Sequence, residues 1–184
     1  MRLRSLLFVP GDRPERMVKA LGLGADALIL DLEDSVAPAG KVAAREHVAT
    51  FLGEPRTVPL FVRINPLDSG LADDDLAAVL PGKPDGIMLP KAEGGASLAA
   101  LDARLSGDIA ILPIATETPA AIFALGTYGS VTPRLAGLTW GAEDLPAAIG
   151  AATSREVDGS YSAPYQLARS LTLFGAHAAG VPAI

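Results

Sequence analysis

Two carboxylates in this sequence stand where they could bind a metal ion together. Glu117 follows the apolar run at 109–112, and Asp144 follows the apolar run at 135–138. If these runs are neighbouring parallel strands, both side chains project from the same edge of the sheet. Two carboxylates leave several octahedral positions for water and substrate oxygens, which suits Mg²⁺, with Mn²⁺ as a substitute. Glu143 is a rival to Asp144 as ligand, and the sequence does not choose between them.

Arg63 is the candidate receptor for an anionic substrate group. It stands at the end of the apolar run at 60–62. A buried arginine must be paired, and a substrate carboxylate is a suitable bidentate partner. The alternative is an internal salt bridge to Glu33 or Asp34. Asp31, Glu33 and Asp34 could also orient Arg63 or metal-bound water, and structural pairing is an equally good interpretation for them.

Several basic residues could contact phosphate groups. Arg13 and Arg16 lie where a turn leads into a predicted helix N-terminus, which is a natural anion site. Lys41 and Arg45 lie on one predicted helix face and could reach phosphates or form a solvated surface. Lys91, at another strand end, could form a Schiff base if its amine were desolvated, although nearby acids would hold it charged.

The elements that must position these side chains are short. Six apolar runs lack polar alternation, as expected of strands buried on both faces of a parallel sheet. The predicted strands are 6–9, 27–30, 60–62, 86–89, 109–112 and 135–138. Helical patterns separate them, so the sequence predicts an α/β fold with parallel strands and right-handed crossovers. The spacing alone does not separate a doubly wound sheet from a (β/α) barrel.

Apolar stripes at helical spacing mark the helices between the strands. The stripes are Met17, Val18 and Leu21; Ala44, Val48, Phe51 and Leu52; Leu76, Val79 and Leu80; Leu98, Leu101 and Leu105; and Leu167, Leu171, Phe174 and Ala178. Thr118 and Pro119 predict the start of a further short helix. Both Thr118 and Asp144 are predicted to cap helices.

The composition is that of a globular protein and excludes several function classes. The 184 residues are 49% hydrophobic and 20% charged, with a net charge of -6, so nucleic-acid binding is a weak hypothesis. The absence of cysteine excludes disulfides, thiolate metal sites and cysteine nucleophiles. No apolar stretch approaches the roughly 20 residues of a membrane span. We interpret the sequence as that of a cytoplasmic protein that binds neither nucleic acid nor membranes.

Six motifs occur in an order that resembles a known family. They are LRSLLFVPGDRPERMVKAL, DALILDLEDSVAPAGKVAAR, LFVRINP, GIMLPKAE, ILPIATETPAAI and LAGLTWGAEDLPAAIGA. Together they are similar to the citrate lyase beta-subunit family, within the HpcH/HpaI aldolase and malyl-CoA lyase superfamily. The resemblance covers essentially the whole chain and implies a TIM (β/α)8 barrel of the phosphoenolpyruvate/pyruvate type.

The resemblance also implies an activity. Family members are Mg-dependent carbon–carbon lyases that act on a hydroxyacyl-CoA thioester, citryl-CoA or a similar one, giving acetyl-CoA and oxaloacetate or another 2-oxo acid. Glu117 of TETP and Asp144 of GAEDL match the family's metal ligands. Arg63 of VRIN matches the arginine that binds the substrate's carboxylate or oxo group. In related pyruvate aldolases a catalytic histidine follows the glutamate of the second-strand motif, and Asp34 stands there in this sequence.

The length predicts a single, incomplete barrel domain over residues 1–184. The motifs account for six βα units, and the stretch at 180–184 matches the opening of the family's seventh strand, so the C-terminal strands and lid are expected to be absent. A fragment, a natural truncation and an oligomer that covers its own gap all remain open. Family members take their proton donor from a C-terminal segment of a neighbouring subunit, which implies a homo-oligomer, with a trimer as the expected form.

Two other functions stay open at this point. One is a CoA-independent 2-oxo-acid aldolase, for which Lys91 is the Schiff-base candidate. The other is a non-catalytic ligand-binding or interaction subunit, which the missing lid favours. Under the main hypothesis, Arg13 and Lys41 are candidates for binding the CoA phosphates.

Overall fold

The computed structural model describes residues 3–184, in which five strands alternate with five α-helices and two further α-helices follow. The strands are β1 (Leu6–Pro10), β2 (Ala27–Asp31), β3 (Leu60–Arg63), β4 (Gly86–Leu89) and β5 (Ala110–Pro113). The helices are α1 (Pro14–Ala20), α2 (Lys41–Leu52), α3 (Ala72–Val79), α4 (Gly95–Asp102), α5 (Pro119–Ala124), α6 (Asp144–Ala148) and α7 (Ala163–Ala178). Short 3₁₀ segments lie at Pro38–Gly40, Leu80–Gly82 and Leu125–Thr127.

Contacts within the chain divide it into two compact units. The first unit runs to Met88 and includes Ser106–Ala110. The second unit comprises Leu89–Leu105 and Ile111–Ile184. The prediction that residues 1–184 form one incomplete barrel domain stays a prediction.

The first unit contains a parallel ladder of strands. β1 pairs with β2, β2 with β3, and β3 with β4, all in parallel. Every residue of β2 is buried, which agrees with its uninterrupted apolar sequence. The register sets Asp31, the last residue of β2, opposite Arg63, the last residue of β3. The pairing therefore brings two charged side chains together at the carboxyl ends of neighbouring strands.

Strand β5 follows β4 in the sheet. In the first unit, the amide of Ala110 donates to the carbonyl of Asp85 at 3.1 Å. In the second unit, the amide of Ile114 donates to the carbonyl of Leu89 at 2.8 Å. The strand order is therefore β1-β2-β3-β4-β5, and the predicted α/β fold with parallel strands is confirmed.

The sixth predicted strand, at 135–138, does not form a regular ladder. It makes isolated parallel bridges, Ile111 with Leu135 and Ile114 with Thr139. Ile111 and Ile114 are three residues apart, whereas Leu135 and Thr139 are four apart, so one extra residue interrupts the ladder in the manner of a bulge. A further parallel bridge joins Leu138 to Ala183, so the segment still forms pairs on both sides.

Helix α2 buries the face that its apolar stripe predicts, whereas α7 does not. Ala44, Val48, Phe51 and Leu52 are all buried in α2. In α7 the predicted Leu167 and Phe174 are 58% and 66% exposed. The buried face of α7 consists of Tyr165, Ala168, Thr172, Gly175 and Ala176. A Cβ on Gly175 would lie 3.0 Å from the carbonyl oxygen of Leu125, so small residues are what allow α7 to approach that backbone.

Helix α7, with 16 residues, is the longest in the structure. No helix within residues 3–184 combines the length and the apolar character needed to cross a membrane.

Candidate active site

Glu117 is a buried carboxylate just beyond β5. Its side chain is largely removed from solvent, with 5% of the residue exposed. The backbone amide of Lys91 donates to its Oε2 at 2.6 Å. The neighbouring Thr116 hydroxyl accepts from the amide of Gly141 at 2.9 Å and donates to the carbonyl of Gly141 at 3.1 Å. These bonds tie the segment carrying Glu117 to the segment that leads into α6.

Gly141 leaves the space that Glu117 occupies. A Cβ at Gly141 would lie 2.8 Å from Cγ and 3.2 Å from Oε1 of Glu117, and 2.9 Å from Cγ2 of Ile114. A side chain there would displace the carboxylate or the strand end. The glycine of the GAEDL motif therefore lets the Glu117 carboxylate lie directly against the backbone of the next segment.

Asp144 is the first residue of α6. The N-cap position is Glu143, no side chain caps the helix, and the prediction that Asp144 is a cap is wrong. Its Oδ2 instead accepts from Nζ of Lys91 at 2.9 Å. The next residue, Leu145, packs with Tyr165 and Ala168 of α7 and fixes α6 in place.

The two rival ligands differ in their surroundings. Asp144 is 30% exposed at its side chain and has an ammonium partner in Lys91. Glu143 is exposed on the surface of the second unit. This difference favours Asp144 as the partner of Glu117.

Lys91 contacts both candidate ligands, and its backbone has a left-handed conformation, with φ of 49°. The loop that follows is anchored by the buried Tyr128, whose hydroxyl accepts from the amide of Gly94 and donates to the carbonyl of Ala92, each at 3.1 Å. Burial raises the pKa of Tyr128 to about 12, so its hydroxyl keeps the proton that it donates. Gly94 has a φ of 81°, which explains a glycine at that position.

Thr118 caps α5 as predicted. Its hydroxyl accepts from the amide of Ala121 at 3.1 Å and donates to Oε1 of Glu93 at 2.7 Å. Since Thr118 directly follows Glu117, the cap also fixes the backbone beside the buried carboxylate.

The residues of this cluster suit a hard divalent cation. Oxygen ligands are those that Mg²⁺ prefers, and it often takes only one or two carboxylates from the protein. Gly141 leaves open space beside Oε1 of Glu117, and we call this space the Gly141 cradle. The Lys91 ammonium already lies beside Asp144. Both features agree with a cation in this position. Within residues 3–184, no group of three or more histidine, cysteine, aspartate or glutamate side chains is placed to hold a metal, so water or substrate oxygens would complete the coordination.

Arg63 lies in the first unit and is held by carboxylates. Its Nε donates to Oδ1 of Asp31 at 2.7 Å, and its Nη2 donates to Oδ2 at 2.6 Å. Its Nη1 lies 2.9 Å from Oε2 of Glu33 and 4.0 Å from Oδ2 of Asp34. The guanidinium carbon also lies 4.9 Å from the centre of the Phe8 ring.

The charge state of this arginine cluster follows from its pairing. Burial lowers the pKa of Arg63, but the hydrogen bonds and charge of Asp31, with Glu33 and Asp34, outweigh burial and raise it above the ordinary value. Burial raises the pKa of Asp31, but Arg63 and the amide of Glu33 lower it by more, so that the net pKa is below normal. Arg63 thus has the internal salt bridge that the sequence left open, and its role with a substrate anion stays a prediction.

Lys41 is a structural connector in the first unit. Its ammonium donates to the carbonyls of Leu32 and Glu33, each at 2.7 Å, and to Oδ1 of Asn65 at 2.8 Å. Burial lowers the pKa of Lys41, and the surrounding carboxylates, Asp31 and Asp75 first among them, offset part of that effect. An ammonium has three protons, so a contact with a CoA phosphate would require one of these bonds to be exchanged.

Asp75 is a buried, fully hydrogen-bonded carboxylate that the sequence did not reveal. It is fully buried, and its Oδ2 accepts from both the amide and the side-chain Nδ2 of Asn65, at 2.7 and 2.6 Å. Its Oδ1 accepts from Nε of Arg45 at 2.7 Å. Arg45 is therefore not the solvated residue that the sequence offered as an alternative. Asp75 was hidden among the acidic residues at the start of α3, where an acidic first turn is common.

Arg13, the other candidate for CoA phosphates, is exposed. Its Nε lies 3.5 Å from Oδ1 of Asp12, with 56% of the arginine side chain exposed. Its phosphate role also stays a prediction. Arg13, Lys41 and Arg63 lie in the first unit, whereas Lys91, Glu117 and Asp144 lie in the second.

Known proteins resemble this chain over most of its length. The citrate lyase subunit beta-like protein of Mycobacterium tuberculosis (strain CDC 1551 / Oshkosh) is 42% identical over 177 residues, which cover 95% of this chain and 60% of that protein. The (3S)-malyl-CoA thioesterase of Cereibacter sphaeroides is 36% identical over 149 residues, which cover 80% of this chain and 51% of that protein. This chain therefore spans less than two thirds of the length of either relative.

A solved structure has the same fold. The crystal structure of protein CitE from Mycobacterium tuberculosis in complex with magnesium and acetoacetate matches 100% of this chain and 75% of that chain, with a TM-score of 0.84 and 34% sequence identity. This match to a TIM-barrel-type structure confirms the predicted fold class. The family model for HpcH/HpaI aldolase/citrate lyase matches residues 4–184, a range that includes Arg63, Glu117 and Asp144. The chain thus belongs to the HpcH/HpaI aldolase/citrate lyase family.

Proposed function

We propose that this chain carries the metal site of a Mg-dependent carbon–carbon lyase. The substrate is a hydroxyacyl-CoA thioester, citryl-CoA or a similar one, and the products are acetyl-CoA and oxaloacetate or another 2-oxo acid. The observation that carries the proposal is that Glu117 and Asp144 meet at one residue, Lys91, through contacts of 2.6 and 2.9 Å.

Glu117 and Asp144 are the proposed metal ligands. When bound, Mg²⁺ supplies a Lewis acid and a template for the oxygens of a 2-oxo or hydroxy acid. Glu117 is buried and held by the amide of Lys91, so its carboxylate is oriented before any ligand arrives. Asp144 is partly exposed and anchored through α6, which leaves it accessible to a metal and a substrate.

Arg63 is proposed to stabilise negative charge on the substrate's carboxylate or oxo group. Asp31 and Glu33 already fix its guanidinium, so little reorganisation is needed when charge develops. Arg13 and Lys41 remain the proposed contacts for the CoA phosphates. The resemblance further supports a homo-oligomer, with a trimer as the expected form.

The relatives support both the oxo-acid part and the CoA-thioester part of the proposed substrate. The CitE structure contains magnesium and acetoacetate, and a relative is named for a malyl-CoA substrate. The CoA-independent aldolase is less well supported, because its Schiff base needs a neutral amine and Nζ of Lys91 forms an ion pair with Asp144.

The proposal is tested by following both binding and turnover. Calorimetry should show that oxaloacetate binds the chain with Mg²⁺ and not with EDTA. Incubation with citryl-CoA and Mg²⁺ should release acetyl-CoA, detected by chromatography, and EDTA should stop the release. Oxaloacetate binding that survives complete metal removal would contradict the metal role. Metal-dependent binding without any turnover would support the non-catalytic alternative.

Thioester hydrolysis is the second candidate, because the thioesterase relative is 36% identical to this chain. The same incubations separate the two reactions when malyl-CoA is the substrate. A lyase gives acetyl-CoA and glyoxylate, whereas a thioesterase gives free CoA, which a thiol reagent detects, and malate.

A further inference from the structure

We propose that Lys91 is an internal counter-cation that a divalent metal must displace from Asp144, so that Lys91 sets the affinity of the site for Mg²⁺. This inference rests on the proposed metal role of Glu117 and Asp144. It concerns how the metal-free site is held together and what metal binding has to change.

Lys91 contacts the two carboxylates through chemically different groups. Its backbone amide donates to Oε2 of Glu117 at 2.6 Å, and its ammonium donates to Oδ2 of Asp144 at 2.9 Å. The hydrogen bond from the backbone amide does not depend on the side chain of residue 91. A substitution at Lys91 can therefore remove the ammonium while leaving the hydrogen bond that orients Glu117.

The exposure of the groups shows which contact can be exchanged. Glu117 is 5% exposed and set in the Gly141 cradle, so it is the fixed half of the pair. The side chains of Lys91 and Asp144 are 36% and 30% exposed, so water reaches both members of the ion pair. The ammonium can leave Asp144 for solvent at a small cost in free energy, because water replaces the lost ion pair, and an exchangeable counter-cation requires this property.

The Lys91 ammonium partly neutralises the negative charge of the two carboxylates. Two carboxylates that gather on one residue repel each other unless a positive charge lies beside them. Lys91 supplies one positive charge to the metal-free site. A divalent cation would supply two and would compete with the ammonium for the Asp144 carboxylate, so part of the free energy of metal binding would be needed to break the ion pair.

The test compares Lys91→Met with the wild-type chain, using Mg²⁺ alone as the probe. Methionine keeps the length of the side chain and removes its charge. Lys83→Met is the matched control, because Lys83 is an exposed lysine with nearly the same left-handed backbone, φ of 50°. Calorimetry gives the dissociation constant for Mg²⁺, and thermal unfolding in EDTA and in saturating Mg²⁺ gives the stability of each form.

We expect Lys91→Met to bind Mg²⁺ about two- to five-fold more tightly than the wild type, as the worth of a partly exposed ion pair implies. Its unfolding temperature should fall in EDTA and recover in Mg²⁺, while Lys83→Met should change neither quantity. Wild-type binding of Mg²⁺ with equal or weaker binding by Lys91→Met would overturn this inference alone. Absence of Mg²⁺ binding by the wild type would overturn the proposed metal site and this inference with it.

A second variant covers the case in which Lys91→Met does not fold without metal. The double variant Lys91→Met/Asp144→Asn lacks both the ammonium and the carboxylate that needs it, so it should fold in EDTA. Folding of the double variant supports the counter-cation role. If the double variant also fails to fold, Lys91 is needed for the structure itself and the inference is wrong.

Discussion

Asp31 holds Arg63 through two parallel hydrogen bonds, from Nε to Oδ1 at 2.7 Å and from Nη2 to Oδ2 at 2.6 Å. The two residues are opposite each other in the register of β2 and β3, and Asp31 is 1% exposed. Bidentate pairs of this kind are among the stronger hydrogen-bonded contacts in proteins. The pair therefore fixes both the position of the arginine and the charge at this edge of the first unit.

Replacing Asp31 should strongly destabilise the chain. Asp31→Asn leaves the buried guanidinium without its main counter-charge, and we expect a loss of about 3 kcal/mol in the free energy of unfolding at pH 7. Urea unfolding followed by circular dichroism measures this loss. The control is Asp34→Asn, because Asp34 is 58% exposed and 4.0 Å from Arg63, so its loss should stay below about 1 kcal/mol. Equal losses in the two variants would contradict the assigned pairing.

The same pair predicts how stability depends on acid. The pKa of Asp31 in the folded chain is lowered from its ordinary 3.8, so the ionised carboxylate stabilises the fold above that pH and loses its effect as the pH falls through the lower, folded value. The difference in unfolding free energy between wild type and Asp31→Asn should be constant from about pH 7 to pH 5 and shrink below about pH 4. A difference that persists unchanged at pH 2 would show that the charge of Asp31 is not what stabilises the fold.

A methyl group at Gly141 should disturb the proposed metal site. Gly141→Ala places a Cβ 2.8 Å from Cγ of Glu117, and either the carboxylate or the backbone must move. We expect Mg²⁺ affinity to fall by about ten-fold or more, measured by calorimetry. Gly126→Ala is the control, because a Cβ there meets nothing within 4 Å. Unchanged affinity in Gly141→Ala would mean that Glu117 is not held in the cradle when the metal binds.

Two variants decide between the rival ligands at the start of α6. Asp144→Asn should weaken Mg²⁺ binding by more than about ten-fold, because a ligand loses its charge. Glu143→Gln should leave the affinity within about two-fold, since Glu143 is exposed on the surface. Calorimetry on both variants provides the measurement, and the reverse order of effects would assign the metal to Glu143.

The packing of α7 predicts opposite effects at neighbouring positions. Ala176 is fully buried, so Ala176→Leu should overpack its surroundings and cost about 1–3 kcal/mol. Phe174 is 66% exposed, and Phe174→Ser should change the stability by about 0.5 kcal/mol or less. Urea unfolding compares the two, and a larger loss from Phe174→Ser would show that this face is covered in solution.

The sequence predicted those features that depend on local pattern. Thr118 followed by Pro119 predicts a cap from two residues, and the cap is present. The continuous apolar run of β2 is also sufficient to predict a strand buried on both faces. Glu117 could be singled out because polar residues that follow parallel strands gather at the carboxyl edge of the sheet. Each of these predictions depends on residues close together in the chain.

Features that depend on a distant partner could not be predicted. Helix α7 carries Leu167 and Phe174 on its exposed side, whereas its buried face consists of small residues apart from Tyr165, and the sequence pattern favours the large apolar residues as the buried ones. The close approach of Gly175 to the backbone of Leu125 instead buries the face that carries the small residues. Asp75 was missed for the same reason, because its partners Asn65 and Arg45 lie 10 and 30 residues away.

The cap at Thr118 connects the first turn of α5 to the backbone beside the Glu117 carboxylate. The amide of Ala121 is protected from exchange with solvent deuterium only while it is bonded to the Thr118 hydroxyl, 3.1 Å away. When the first turn of α5 opens, the backbone next to Glu117 is released as well. The exchange rate of that single amide therefore reports how often the turn beside Glu117 opens, and we expect ligands that hold Glu117 to slow it.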